Sequence, residues 1–82
     1  MSHFVYILYG SGKRKYYIGE TKDIEARLER HNSGQVRSTK TGIPWKLIWS
    51  IKMKTRSEGL MLEKRIKKRG AKRYLEDNQF GV

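Results

Sequence analysis

The chain has 82 residues, no cysteine, and 19 lysines and arginines against 8 acidic residues, for a formal net charge of +11. A chain of this length is expected to form a single domain over residues 1–82 with one small core, burying about 60–65% of the surface its unfolded form exposes, and without cysteine it can hold neither a disulfide framework nor a thiolate metal centre. No 18-residue apolar run or secretory leader is present, so a cytoplasmic protein with no membrane association is expected, while the basic excess favours a polyanionic partner, with nucleic acid first.

Residues 4–9 are a β-branched and aromatic run whose alternation places Val5, Ile7 and Tyr9 on one face. Residues 16–19 form a second run, and the intervening GSGKR supplies permissive glycines, so the two read as a β-hairpin. Pairing Tyr6 with Tyr17 would put Tyr6, Tyr17 and Gly19 on one face and Val5, Ile7, Tyr9, Tyr16 and Ile18 on the other. The segment TKDIEARLERHNSG follows as a helix, with Thr21 as N-cap and Ser33-Gly34 as its end. Ile24, Arg27, Leu28 and His31 fall at i, i+3, i+4 and i+7, one helix face that carries an arginine and a histidine where apolar residues are the rule.

Residues 35–44 read as a loop, and residues 45–53 as a third strand with Trp45, Leu47, Trp49, Ile51 and Met53 on one core face. A second helix is expected from a Ser57 cap through Arg69, with Gly70 ending it and Leu62 with Ile66 as its apolar pair. A short third helix, AKRYLEDN, would close the chain before a frayed NQFGV end. Basic residues cluster twice, at Lys13, Arg14 and Lys15, and along EKRIKKRGAKR, which includes Lys64, Lys67 and Lys68. Zinc-finger spacing, a phosphate-cradling glycine loop and a nucleophile elbow are all absent. His3 is given no role.

The residues left for chemistry are Tyr6, Tyr17, Gly19, Arg27, His31 and Glu63. Their order resembles the GIY-YIG endonuclease domain, of the small stand-alone bacterial kind similar to the nuclease modules of excision repair and homing endonucleases. VYIL carries Tyr6 of the first half-motif, YIG at Tyr17, Ile18 and Gly19 matches the second, DIEARLERHN supplies Arg27 and His31, and SEGLMLEKRIKK places Glu63 where that family has a metal-binding glutamate. The glycine and isoleucine of the first half-motif are Phe4 and Val5 in this chain. The resemblance implies an α/β (α+β) fold with a small, mainly antiparallel three-stranded sheet flanked by helices. It also implies metal-dependent hydrolysis of DNA, with Mg²⁺ or Mn²⁺ on Glu63. Asn78 lies near a late family asparagine but stays outside the expected catalytic set.

Phosphodiester hydrolysis needs an activated water, positive charge at the phosphoryl oxygens and help for the leaving oxygen. A single carboxylate, Glu63, suits a hard cation that keeps most of its waters, and binding to the free protein is expected to be weak. Arg27 offers a fixed guanidinium fork to phosphate. The resemblance implies Tyr6 as general base, although a free phenol is only about one part in a thousand ionised at pH 7. Tyr17 would position water or phosphate, Gly19 would leave room for the substrate, and His31 would hydrogen-bond Tyr6 or the phosphate, or relay a proton. Lys13, Arg14, Lys15, Lys64, Lys67 and Lys68 are candidate phosphate contacts.

Each of these residues also has an ordinary structural use. Tyr6 and Tyr17 are good strand residues, His31 suits a helix C-terminus, Arg27 can snorkel, and Glu63 can pair with Lys67 at i, i+4. The enzyme reading prevails because one set of assignments covers every task. Two other readings stay open: a nucleic-acid-binding module of the same fold that cleaves little and acts in DNA repair or processing, and an RNA- or ribosome-associated basic protein. Little of the chain is left for target recognition, so specificity is expected to be low or supplied by a protein partner, with a monomer or weak dimer as the working state.

Overall fold

A computed structural model describes residues 2–78 of the chain. The elements run β1 (His3–Gly10), β2 (Lys15–Thr21), α1 (Ile24–Asn32), a 3₁₀ segment (Arg37–Gly42), β3 (Trp45–Met53), α2 (Arg56–Arg69) and α3 (Ala71–Asp77). The strands form one antiparallel sheet in the order β2-β1-β3, which makes β1 central and β2 an edge. This is the α+β architecture that the resemblance implied.

The two faces of β1 build two apolar clusters. Val5 and Ile7 pack with Ile18, Ile66 and Ala71 on the face covered by α2 and α3, joined by Trp49 and Met53. Tyr6 and Leu8 pack with Trp45 on the other, where Ile24 and Leu28 bring in α1 and Tyr17 and Leu47 lie alongside. Fully burying one such aliphatic side chain is worth about 1.5–3 kcal/mol, so these two thin layers supply most of what holds the domain together.

The third strand departs from the expected single apolar face. Ile7 pairs with Trp49 but Leu8 pairs with Leu47, so Ile48 is an extra residue and the pairing shifts by one there. A bulge flips the side chains beyond it to the opposite face. Trp49 and Met53 therefore serve one cluster while Trp45 and Leu47 serve the other. Ile51 stays 42% exposed, so the row expected to be one core face is divided.

The hairpin register also differs: Tyr6 faces Gly19, and Tyr17 faces Leu8. A two-residue shift preserves the faces, so Tyr6, Tyr17 and Gly19 still lie together. Tyr9 and Tyr16 do pair across the strands, edge to face at 5.2 Å. The left-handed residue of the turn is Arg14, at φ 54°, rather than a glycine. Gly12 is needed for close approach instead: its N–H donates to Gly42 O, and a Cβ there would lie 2.7 Å from Thr41 O.

The N-caps of α1 and α2 each lie two residues from the expected position, whereas both helices end where expected, at Ser33 and Gly70. Asp23, not Thr21, caps α1 by accepting from Ala26 N at 3.1 Å, and Thr21 Oγ1 accepts from Asp23 N behind it. Thr55, not Ser57, caps α2 by accepting from Glu58 N at 3.1 Å. Each such cap is worth about 1 kcal/mol. Gly70, at φ 94°, ends α2, and a two-pronged Arg69–Asp77 pair at 2.7 and 3.1 Å ties α3 back to it. The expected loop at 35–44 contains the 3₁₀ segment. Of the expected frayed end, Asn78 closes α3 through Tyr74 O, and residues 79–82 lie outside the described residues.

Candidate active site

Tyr6 projects from the central strand toward the β2 edge because its neighbour across the ladder has no side chain. A Cβ at Gly19 would lie 2.6 Å from Tyr6 Cζ and 3.0 Å from Cε2. The space that Gly19 was expected to leave for substrate is thus occupied by the Tyr6 ring, which is only 1% exposed. From the α1 face comes Arg27, on the half-buried stripe with Ile24 and Leu28. From the opposite face comes Glu63, on the stripe of α2 that also carries Gly59, Leu62 and Ile66. Gly59 is buried where α2 crosses the sheet, and a Cβ there would come within 3.1 Å of Glu20 Cγ.

Burial pushes the Tyr6 hydroxyl up to about 12, and the neighbouring Tyr17 and the Glu63 carboxylate push the same way, while the Arg27 guanidinium opposes them by its charge and by hydrogen bonding toward the phenol. No well-formed hydrogen bond reaches Tyr6 Oη, so the Arg27 contact is a loose one. The Tyr17 ring is 6.3 Å from that of Tyr6 and 4.6 Å from that of His31.

His31 is buried, but it does not hydrogen-bond Tyr6 as one expectation had it. Its Nδ1 is 2.8 Å from Thr39 Oγ1, and Nε2 has no partner. Burial, then Arg27 and Arg30, hold its pKa below the ordinary 6.5. Glu63 Oε2 is 2.7 Å from Lys67 Nζ, with the glutamate side chain 17% exposed and the lysine 56%. Lys67 is therefore a partner of Glu63 as well as a candidate phosphate contact.

The other expected contacts are dispersed. Lys64 and Lys68 line a shallow depression with Met61 and Arg65 on the outer side of α2. Lys13, Arg14 and Lys15 are exposed at the hairpin tip, four ladder steps from the Tyr6–Gly19 pair, or about 13 Å along the strands.

Two groups were not foreseen. His3 is buried, and its Nδ1 is 2.6 Å from Glu20 Oε2, with Arg56 4.0 Å from the other carboxylate oxygen. These residues border a cleft of about 350 Å³ that also includes Lys22, Arg27 and Arg30. Thr39 is the second. The sequence offers no signal for either, since both contacts are made between distant elements.

As a metal site, the chemistry is that of one carboxylate. Among the described residues no three His, Cys, Asp or Glu side chains cluster closely enough to cage a metal. A lone glutamate, 17% exposed and paired with Lys67, fits Mg²⁺ or Mn²⁺ as cations that keep most of their waters and take the remaining ligands from phosphate. Among the described residues no helix is long and apolar enough to cross a membrane.

This site coincides with established kinship. A family model described as the GIY-YIG catalytic domain matches residues 2–75. UPF0213 proteins of Staphylococcus aureus strains Mu3 and Mu50 are each 43% identical over 67 residues, covering 80% of this chain and 80% of theirs. The solution NMR structure of a UPF0213 protein from Bacillus halodurans is similar at TM-score 0.59 and 27% identity, over 99% of this chain and 88% of that one. By this match over residues 2–75, the chain belongs to the GIY-YIG catalytic domain family.

Proposed function

We propose that the chain is a metal-dependent endonuclease that hydrolyses DNA phosphodiester bonds. The family match over residues 2–75, together with the Tyr6 phenol seated against Gly19 at the β2 edge, carries this reading. In it Tyr6 is the general base. A phenol with a pKa near 12 is essentially all protonated at neutral pH, so its proton leaves during attack by water rather than beforehand. Arg27 offers its fork to the phosphoryl oxygens or the leaving oxygen, and Tyr17 orients water or phosphate at the half-buried rim. Glu63 would hold Mg²⁺ or Mn²⁺, which supplies Lewis-acid charge at the phosphoryl oxygen when bound. Lys13, Arg14, Lys15, Lys64, Lys67 and Lys68 bind phosphates on either side, without base contacts to impose sequence. A protein partner would supply specificity to a monomer or weak dimer.

The test is a cleavage panel of supercoiled, duplex, nicked, branched and single-stranded DNA with Mg²⁺ or Mn²⁺. Glu63→Ala and Tyr6→Phe are each expected to slow cleavage by roughly 10²-fold or more while unfolding cooperatively. Equal rates in wild type and variants would refute the mechanism. The Glu63–Lys67 ion pair favours a second reading, a nucleic-acid-binding module of weak activity, because the lysine competes for the carboxylate. Salt-sensitive DNA binding without cleavage under any metal would select it.

A further inference from the structure

The geometry points to Thr39 as the positioning residue that holds His31 in its Nδ1–H tautomer, leaving Nε2 as a buried proton acceptor beside the active-site tyrosines. Its use in catalysis rests on the nuclease reading above, whereas the tautomer itself does not.

A threonine hydroxyl has a single proton to give. Thr39 Oγ1 lies 2.8 Å from His31 Nδ1 and 3.3 Å from Val36 O, and a carbonyl can only accept. Donation to Val36 O leaves the hydroxyl lone pairs to accept from His31 Nδ1–H, so both contacts are made. In the reverse arrangement the hydroxyl would donate to Nδ1 and the ring proton would move to Nε2. That would bury an N–H with no acceptor, because Nε2 has no partner in the fold. An orphaned buried N–H is rarer than an under-used acceptor and costs about 1–3 kcal/mol.

Thr39 is itself held in place. It is 4% exposed, its carbonyl accepts from Trp45 Nε1 at 2.7 Å, and its N–H donates to Val36 O at 3.1 Å. Asn32, one residue after His31, grips the Trp45 backbone from both sides: Oδ1 accepts from Trp45 N at 2.6 Å, and Nδ2 donates to Trp45 O at 2.9 Å. The histidine and the threonine are thereby fixed against one another through Trp45.

The lone pair left free on Nε2 has a use in proton transfer. Among the described residues, the buried side-chain nitrogen and oxygen atoms without a well-formed hydrogen bond are Tyr6 Oη, which has only the loose Arg27 contact, and His31 Nε2. Both belong to the cluster in which Tyr17 touches each ring. Unpartnered buried polar atoms are uncommon enough to require an explanation, and proton transfer supplies one. When the tyrosine cluster takes a proton from the attacking water, the phenolic proton it gives up passes to Nε2. The ring becomes an imidazolium that keeps its Nδ1–H bond to Thr39. Burial, Arg27 and Arg30 favour the neutral ring at rest, ready to accept and quick to return the proton.

Long-range ¹H–¹⁵N correlation spectra of the ¹⁵N-labelled protein read the tautomer directly. His3 is the one other histidine in the chain, so a His3→Gln sample assigns the signals. His31 is expected to show a protonated Nδ1 and an unprotonated Nε2. Thr39→Val should move proton occupancy to Nε2 and slow nicking by roughly 10- to 100-fold at unchanged KM, and Thr39→Ser should restore both. An Nε2–H ring in the wild type, or an unchanged tautomer in a folded Thr39→Val protein, overturns the inference. A wild type that has the Nδ1–H ring but cleaves nothing upholds the tautomer lock and refutes the nuclease reading alone.

Discussion

Gly19→Ala adds one methyl group at the point where the site is most tightly built. The new Cβ would stand 2.6 Å from Tyr6 Cζ. Carbon atoms in contact prefer about 3.5–4.0 Å, so the ring must withdraw by about 1 Å. With Tyr6 at 1% exposure and packed against Leu8 and Trp45, that movement has no free space to enter. Overpacking of this kind costs about 1–3 kcal/mol. In a domain of this size each kcal/mol lowers Tm by roughly 4–8 °C. A displacement of 1 Å in the reacting group should also slow cleavage by about 10²-fold. Thermal unfolding and plasmid nicking measure the two effects separately. In a Tyr6→Phe background the stability loss should shrink, because Oη is one of the atoms the methyl group meets. A Gly19→Ala protein with wild-type Tm and wild-type nicking would refute the argument that this glycine exists to seat Tyr6.

Arg14→Gly relieves a left-handed residue at φ 54° and should add up to about 1 kcal/mol of stability in urea unfolding. It should also reduce the salt slope of DNA binding by about 1 if Arg14 contacts a phosphate, so stability and affinity move in opposite directions. The folded pKa of His31 lies below the ordinary 6.5, so the unfolded chain takes up that proton first as pH falls. Its contribution is complete above pH 6.5 and is lost as pH falls through the folded pKa, and His31→Gln should flatten that part of a stability–pH curve. Tyr6 behaves in the opposite sense, because the folded phenol holds its proton up to about pH 12. Stability from this group is complete below about pH 10 and falls between 10 and 12, by up to about 2–3 kcal/mol. Ultraviolet titration should show one late tyrosine that Tyr6→Phe removes.

The sequence made local order legible. Both hairpin strands, β3 and all three helices follow from alternation or helical spacing, and the α1 stripe of Ile24, Arg27, Leu28 and His31 lies on the sheet-facing side as read. What escaped depended on partners. The Ile48 bulge is set by β1 and by the need for Trp45 and Trp49 to serve different clusters, which alternation within one strand cannot express. The hairpin register depends on the turn packing against Gly42 and Pro44, far along the chain. The candidate site was legible through its motif order, whereas His3 with Glu20 and His31 with Thr39 join residues 17 and 8 positions apart. No local periodicity marks such pairs.

The spacing of the motif acquires a physical meaning from the sheet edge. A catalytic group on a central strand is protected and well positioned, but helices normally cover it from one face only. Placing a glycine opposite Tyr6 on the edge strand lets the phenol extend across β2, where α1 and α2 can both approach it. The charges of Arg27 and Glu63, which belong to different layers of the fold, bear in opposite senses on that hydroxyl. The cost is a buried phenol with no well-formed hydrogen bond and a pKa near 12, a poor base when it stands alone. On the mechanism proposed above, a neutral histidine with a free Nε2 beside the same cluster would give the phenolic proton somewhere to go, which would account for a polar pair, His31 and Thr39, at buried positions.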